Sequence, residues 1–107
     1  MSAVPANIAE TVEQQVARLL ERWRDETAYL SSSTAITGHP AYQELIALGP
    51  AALPCLFRDL EQSGDGHLSK ALTAITGAHP IAAQERGKVN KIAESWLRWA
   101  RENDYQW

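Results

Sequence analysis

The chain has a single cysteine, Cys55, among its 107 residues. One cysteine cannot form an internal disulfide, and it cannot supply a zinc site of the multi-cysteine kind. Cys55 lies between Pro54 and Leu56, and nothing nearby in the sequence would lower its pKa as a nucleophile or redox centre requires. We therefore expect a buried structural thiol in a reduced, intracellular protein.

Long hydrophobic runs are also scarce. The longest uncharged apolar stretch covers residues 45–57 and is interrupted by Gly49, Pro50 and Pro54. It is shorter than the roughly 20 residues that a membrane-spanning helix needs, so we expect it to form core. Residues 1–6 lack the basic and apolar regions of a secretion signal, which predicts a flexible N-terminus on a cytoplasmic protein without a membrane association.

The chain has no excess of positive charge, because 10 Lys and Arg residues stand against 13 Asp and Glu residues, for a net charge of −3. No global positive field therefore draws it onto nucleic acid or an anionic membrane. The distribution is uneven, since residues 86–101 contain five basic residues and one acidic residue, a local charge of +4. A solvated helix face is the plain interpretation, and a site for an acidic partner or a nucleic-acid backbone is the alternative.

Motifs that carry chemistry are absent from the sequence. The histidines His39, His67 and His79 do not fall into His-x-x-x-His or Glu-x-x-His spacings, so we expect no metal site. There is no Gly-x-Ser-x-Gly elbow, no P-loop and no dinucleotide-binding turn, so we expect no cofactor. No two carboxylates stand out as an acid–base pair. The sequence thus predicts a protein that is not an enzyme.

Helical periodicity is the strongest signal present. In the first helix the apolar residues fall within an arc of about 120° on a helical wheel. Asn7 is the predicted N-cap, and the helix should end near residue 30, because the hydroxyls of residues 31–34 compete with helix in a polar loop. The residues of the apolar arc are Ile8, Val12, Val16, Leu19, Leu20, Trp23, Thr27 and Leu30.

Four further helices follow from the same periodicity, from prolines that begin helices and from glycines that end them. No segment has the period-two alternation of a strand. We therefore predict an all-α domain over residues 7–107, a compact five-helix bundle with long first and last helices. The four helices cover 41–48, Pro50 to the turn at 63–66, 68 to Gly77, and about Glu85 onward, with 103–107 fraying unless an aromatic side chain packs on the bundle.

The stretch LGPAALPCL at 48–56, followed by KALTAITG at 70–77, resembles the HEAT-type α-helical repeat. This resemblance implies a pattern of helix packing and carries no chemistry. One repeat is too few for an open superhelix, so it implies a compact HEAT-like bundle closed by the first and last helices. Residues 27–105, with HPAYQ, AITG and WLRW, are also similar to a family of small uncharacterised bacterial helical proteins, which implies no activity.

A cluster of aromatic and basic residues near the C-terminus is the best candidate site. Trp, Tyr and Arg are the residue types enriched at interface hot spots. The alternative is that the tryptophans are core aromatics that hold the terminal helices together. The candidate partner-binding residues are Trp99, Arg98, Arg101, Tyr105, Trp107 and Lys91, with Tyr42 as a weaker addition.

We therefore predict a non-enzymatic protein–protein interaction module, in its sharpest form a small regulatory or neutralising partner of the antitoxin or immunity type. A nucleic-acid binder that uses the basic last helix is the second hypothesis, and its affinity would fall steeply with salt. A third is a self-associating structural protein with its tryptophan face buried in a homodimer.

Overall fold

The computed structural model describes residues 10–80 and 89–107, and the chain is all-α within these ranges, as predicted. Six α-helices are described there, one more than expected, and none of them is both long and apolar enough to cross a bilayer. They are α1 (Val12–Thr27), α2 (Ser33–Thr37), α3 (Pro40–Ala47), α4 (Leu53–Ser63), α5 (Leu68–Thr76) and α6 (Val89–Glu102), with a 3₁₀ turn over Gly49–Ala52 before α4.

The first helix begins later than the sequence predicted. Thr11 is its N-cap, and Thr11 and Gln14 form a capping box, in which the Thr11 hydroxyl accepts from the Gln14 amide at 3.1 Å. The Gln14 side chain in turn accepts from the Thr11 amide at 2.9 Å. This reciprocal pair satisfies two amides at the helix start, which fixes the beginning of α1 at Val12. The predicted cap Asn7 and the predicted flexible residues 1–6 lie outside the described residues.

The additional helix, α2, lies where a polar loop was expected. The Ser32 hydroxyl accepts from the Ala35 amide at 3.3 Å and caps a five-residue helix. The serine run was interpreted only as a signal that ends a helix, but serine before a helix is also a favoured N-cap. The prediction of five helices was wrong for this reason.

The predicted C-terminal ends of the middle helices are confirmed, but α4 begins at Leu53 rather than at Pro50, because Gly49–Ala52 forms a 3₁₀ turn. Pro40 occupies the first turn of α3, and Pro54 occupies the first turn of α4. Gly64 and Gly77 follow α4 and α5 with φ angles of 65° and 76°. Glycine adopts this left-handed conformation without the strain that a Cβ atom brings, so both helices end at these positions.

The core lies where α1 packs on α3 and where α4 packs on α6. Trp23 of α1 and Trp96 of α6 are its largest side chains, and both are fully buried. The interpretation of tryptophans as core aromatics is therefore correct for these two. Every buried side-chain nitrogen or oxygen in the described ranges has a hydrogen-bond partner, as a stable interior requires. The other large, fully buried side chains are Tyr42, Phe57, Leu45, Leu53, Leu56, Leu60, Leu68 and Leu72.

Tyr42 joins α3 to the start of α5. Its hydroxyl donates to the carbonyl of His67 at 2.5 Å and accepts from the amide of Ala71 at 2.7 Å. In a regular α-helix that amide would donate to that carbonyl directly, four residues back. The hydroxyl is thus inserted into the first turn of α5. Tyr42 was a candidate partner-binding residue, but its side chain is completely buried, so that prediction was wrong.

Replacing Tyr42 by phenylalanine removes this bridge, so the buried amide of Ala71 and the part-buried carbonyl of His67 lose their partner. We expect Tyr42→Phe to lower the free energy of unfolding by about 1–3 kcal/mol in urea denaturation. Tyr29→Phe is the matched control, because Tyr29 is 82% exposed and its loss of a hydroxyl should change nothing. Equal stability of the two variants would show that the hydrogen bonds of the Tyr42 hydroxyl do not stabilise the fold.

Burial also raises the pKa of the Tyr42 hydroxyl well above its usual range. In the unfolded chain a tyrosine ionises near pH 10, so above about that pH only the unfolded state loses this proton. The contribution of the neutral hydroxyl to stability is complete below about pH 10 and falls as the pH rises further. We expect the free energy of unfolding of the wild type to fall more steeply above about pH 10 than that of Tyr42→Phe, by up to roughly 1.4 kcal/mol per pH unit. Parallel curves would show that Tyr42 titrates alike in both states.

Candidate functional site

A groove of about 800 Å³ opens between α2, the α4–α5 turn, the start of α5 and α6. We call it the polar groove, because hydroxyl side chains and turn backbone make up most of its wall. Among the described residues of its wall, Lys70, Asp65 and His67 are ionisable, and Ile92 of α6 is the large apolar residue. The remaining wall residues are Ser33, Thr34 and Thr37 of α2, with Ser63, Gly64, Gly66 and Ser69.

Arg24 of α1 holds the turn that forms one wall. Its guanidinium donates to both carboxylate oxygens of Asp59, at 3.0 and 2.6 Å, and also to Asp65 Oδ2 at 3.2 Å. The hydrogen bonds to Asp59, followed by attraction to both carboxylates, raise the pKa of Arg24 against the opposing effect of burial. The Arg24 side chain is 36% exposed, so water screens these ion pairs, and their main effect is to fix geometry.

Asp65 also shapes the turn through its other oxygen. Asp65 Oδ1 accepts from the His67 amide at 3.1 Å and lies 3.2 Å from His67 Nδ1. Because a carboxylate can only accept, Nδ1 carries the proton of the neutral ring and Nε2 does not. An Asp–His pair of this kind can serve acid–base catalysis when a nucleophile is hydrogen-bonded to the ring. No hydroxyl among the described residues is bonded to the His67 ring, and the hydrogen bonds of the pair lie within the turn.

Several hydroxyls of the polar groove already have partners. The Ser63 hydroxyl donates to Asp59 at 3.2 Å and accepts from the Asp65 amide at 3.1 Å. The Ser69 hydroxyl accepts from Trp96 Nε1 at 2.8 Å. The Thr37 hydroxyl donates to the carbonyl of Ser33 at 2.9 Å.

Three donor groups in the same wall have no side-chain partner among residues 10–80 and 89–107. These are the hydroxyls of Ser33 and Thr34 and the ammonium group of Lys70, all on exposed residues. Since the carboxylate of Asp65 is already occupied, the charged group that the described wall offers to a ligand is the ammonium of Lys70, beside two hydroxyls that can donate or accept.

The aromatic residues predicted at the C-terminus come together on α4. Phe57 lies at the centre, with its ring centroid 6.5 Å from Trp99, 5.4 Å from Tyr105 and 5.5 Å from Trp107. We call these four residues the C-terminal aromatic cluster. Trp99 stacks on Tyr105 at 5.7 Å, and Trp99, Tyr105 and Trp107 are half-buried against the core. Their rings are therefore largely engaged within the chain, and no pattern in the sequence indicated that they pack around Phe57.

Glu61 of α4 holds Arg101 and Trp107 by hydrogen bonds. It accepts from Arg101 Nη2 at 3.1 Å and from Trp107 Nε1 at 3.2 Å. The Arg101 guanidinium also lies 5.4 Å from the centre of the Trp107 ring, within the range of a cation–π contact. Arg101 and Trp107 were predicted to meet a partner, and in this structure they meet each other and Glu61.

The basic character of the last helix is weaker than its sequence suggested. Lys91 forms an ion pair with Glu94 at 3.2 Å, and Arg101 forms one with Glu61. Among the described cations of α6, Arg98 is the one without an ion pair. Arg86 and Lys88, which raise the local charge, lie outside the described residues, as does the predicted helix start at Glu85.

No described residues form a cluster of three or more His, Cys, Asp or Glu side chains that could hold a metal ion. Cys55 is partly buried rather than fully buried, a small correction to the prediction. Desolvation by burial raises the pKa of its thiol, which lowers the fraction of reactive thiolate.

None of the seven candidate partner-binding residues lines the polar groove. The sequence did contain a signal for the groove, namely the hydroxyl-rich segment at 31–34 and the turn residues at 63–66, each of which lies at or just before a helix start. Comparison with protein-family models, curated proteins and solved structures gave no match to this chain. The resemblance to the HEAT-type repeat stays a prediction.

Trp107 tests whether the C-terminal aromatic cluster is part of the fold. We expect Trp107→Ala to lower the free energy of unfolding by about 1–3 kcal/mol, because it removes a half-buried ring with its aromatic contacts. The exposed neighbour Gln106 provides the control, since Gln106→Ala should leave urea denaturation unchanged. If both variants unfold like the wild type, Trp107 and its aromatic contacts do not contribute to stability.

Proposed function

We propose that this chain is a non-enzymatic protein–protein interaction module and that a segment of its partner binds in the polar groove. The observation that carries the proposal is the groove itself, about 800 Å³ in volume, with walls fixed by internal hydrogen bonds and with free donors at Ser33, Thr34 and Lys70. Binding sites are typically preformed concave surfaces with a few placed polar groups. A fixed wall lowers the entropy lost when a partner binds.

The finer form of the proposal is a small bacterial, cytoplasmic protein that regulates or neutralises its partner, as antitoxins and immunity proteins do. The HEAT-type resemblance of 48–56 and 70–77 supports an interaction role, because such helical repeats bind partners in grooves between helices.

Nucleic-acid binding through α6 is the second candidate. Arg98, which has no ion pair among the described residues, favours it, whereas the ion pairs of Lys91 and Arg101 count against it. Binding to a phosphate backbone needs several free cations and weakens steeply as salt is raised.

Affinity capture of the tagged chain from its native host, with and without nuclease, tests the proposal. The decisive variant is Thr34→Trp, which places a large ring in the groove from an exposed position, and Ala51→Trp is the control at an exposed position outside it. We expect a stoichiometric protein partner that survives nuclease, binds about tenfold or more weakly to Thr34→Trp and is retained by Ala51→Trp. Circular dichroism verifies that both variants are folded.

Other results would decide against the proposal. A partner that is retained by Thr34→Trp and lost from Arg98→Glu would place binding on the last helix. Recovery of nuclease-sensitive material alone would favour nucleic-acid binding, and recovery of the chain alone would favour self-association.

A further inference from the structure

We propose that the segment bound in the polar groove is acidic, with a carboxylate that pairs with Lys70 and lies near the hydroxyls of Ser33 and Thr34. This inference rests on the proposed function of the groove, and it adds the chemistry of the partner. It follows from which polar groups in the groove already have hydrogen-bond partners and which do not.

The carboxylate of Asp65, the anionic group of the described wall, is already occupied. Both of its oxygens accept hydrogen bonds, Oδ2 from Arg24 and Oδ1 from the amide of His67. Arg24 is shared between Asp59 and Asp65, so it offsets the charge of these carboxylates in part, and Lys70 is the second positive charge near them in the groove.

Several donors of the groove, in contrast, have no partner among the described residues. Lys70 forms no ion pair with any residue in the described ranges, and the hydroxyls of Ser33 and Thr34 have no partner there. Ser69 accepts from Trp96 through its oxygen and keeps its own proton for donation. A ligand that brings acceptors, and above all a carboxylate, therefore complements this wall.

The size and charge of the groove favour a peptide over a nucleic acid. A volume of about 800 Å³ is in the range of sites that hold a few side chains. Lys70 is the sole lysine or arginine of the described wall, whereas a nucleic-acid backbone calls for a row of cations. One cation with neighbouring hydroxyls suits one carboxylate at a defined position along an extended segment.

Selection of random dodecapeptides displayed on phage, with the immobilised full chain as target, tests this inference. The probe is thus the peptide library, and the leading peptide is then resynthesised and titrated by calorimetry. The variants are Lys70→Glu, Lys70→Arg, the groove-blocking Thr34→Trp, and Arg58→Glu. Arg58 is a matched control, because it is also exposed and lacks an ion pair among the described residues, but it lies outside the groove.

We expect Asp and Glu to be enriched in the selected peptides relative to the starting library. The leading peptide should bind Lys70→Glu about tenfold more weakly than the wild type and should bind Lys70→Arg and Arg58→Glu within about threefold of it. Replacing the critical Glu of the peptide by Gln should weaken binding to the wild type and have little further effect on Lys70→Glu, as expected for two groups that form one pair.

The remaining outcomes separate the two proposals. One outcome is that the selected peptides bind Thr34→Trp weakly but are not acidic and bind Lys70→Glu as well as the wild type. This outcome would overturn the acidic partner and leave the groove as the binding site. Failure to enrich any peptide, or enrichment of peptides that bind Thr34→Trp normally, would overturn both.

Discussion

Two neighbouring side chains of α1, Trp23 and Arg24, fix the walls of the polar groove. Trp23 is buried in the core, and its Nε1 donates to the carbonyl of Ile36 at 2.8 Å, which holds α2. Arg24 lies about 100° further around the helix, so it leaves the core and reaches Asp59 and Asp65 in the opposite wall. A single turn of α1 thus positions two segments that are distant from each other in the sequence.

The third wall depends on the same region of the core. The Tyr42 ring packs against Trp23 with 5.1 Å between centroids, and its hydroxyl bonds the first turn of α5, from which Ser69 and Lys70 enter the groove. Several wall residues are paired internally, because buried or half-buried polar groups need hydrogen-bond partners. The ammonium group of Lys70 and the hydroxyls of Ser33 and Thr34 remain for a ligand. The internal contacts that position the walls therefore also determine which polar groups are left to bind a ligand.

Periodicity and helix-end residues predicted the all-α class, both ends of α3 and α5 to within a residue, and the end of α4, since these depend on interactions between residues close in sequence. Long-range contacts could not be predicted in the same way. Arg24 and Asp59 are 35 positions apart, and Trp107 and Glu61 are 46 apart. A helical wheel identifies the apolar face of a helix but not what packs on it. For that reason Tyr42 was a candidate partner-binding residue, and the sequence left open whether the aromatic residues near the C-terminus bind a partner or pack on the core.

Amide hydrogen exchange in Arg24→Gln tests most directly whether internal contacts from α1 hold the groove. If they do, the amides of His67 and Ser69 should exchange at least about tenfold faster than in the wild type, because the turn opens locally. The amide of Leu45, in the core of α3, should be unaffected. Unchanged exchange at His67 and Ser69, or an equal increase at all three amides, would contradict the account, since the turn would then not depend on Arg24.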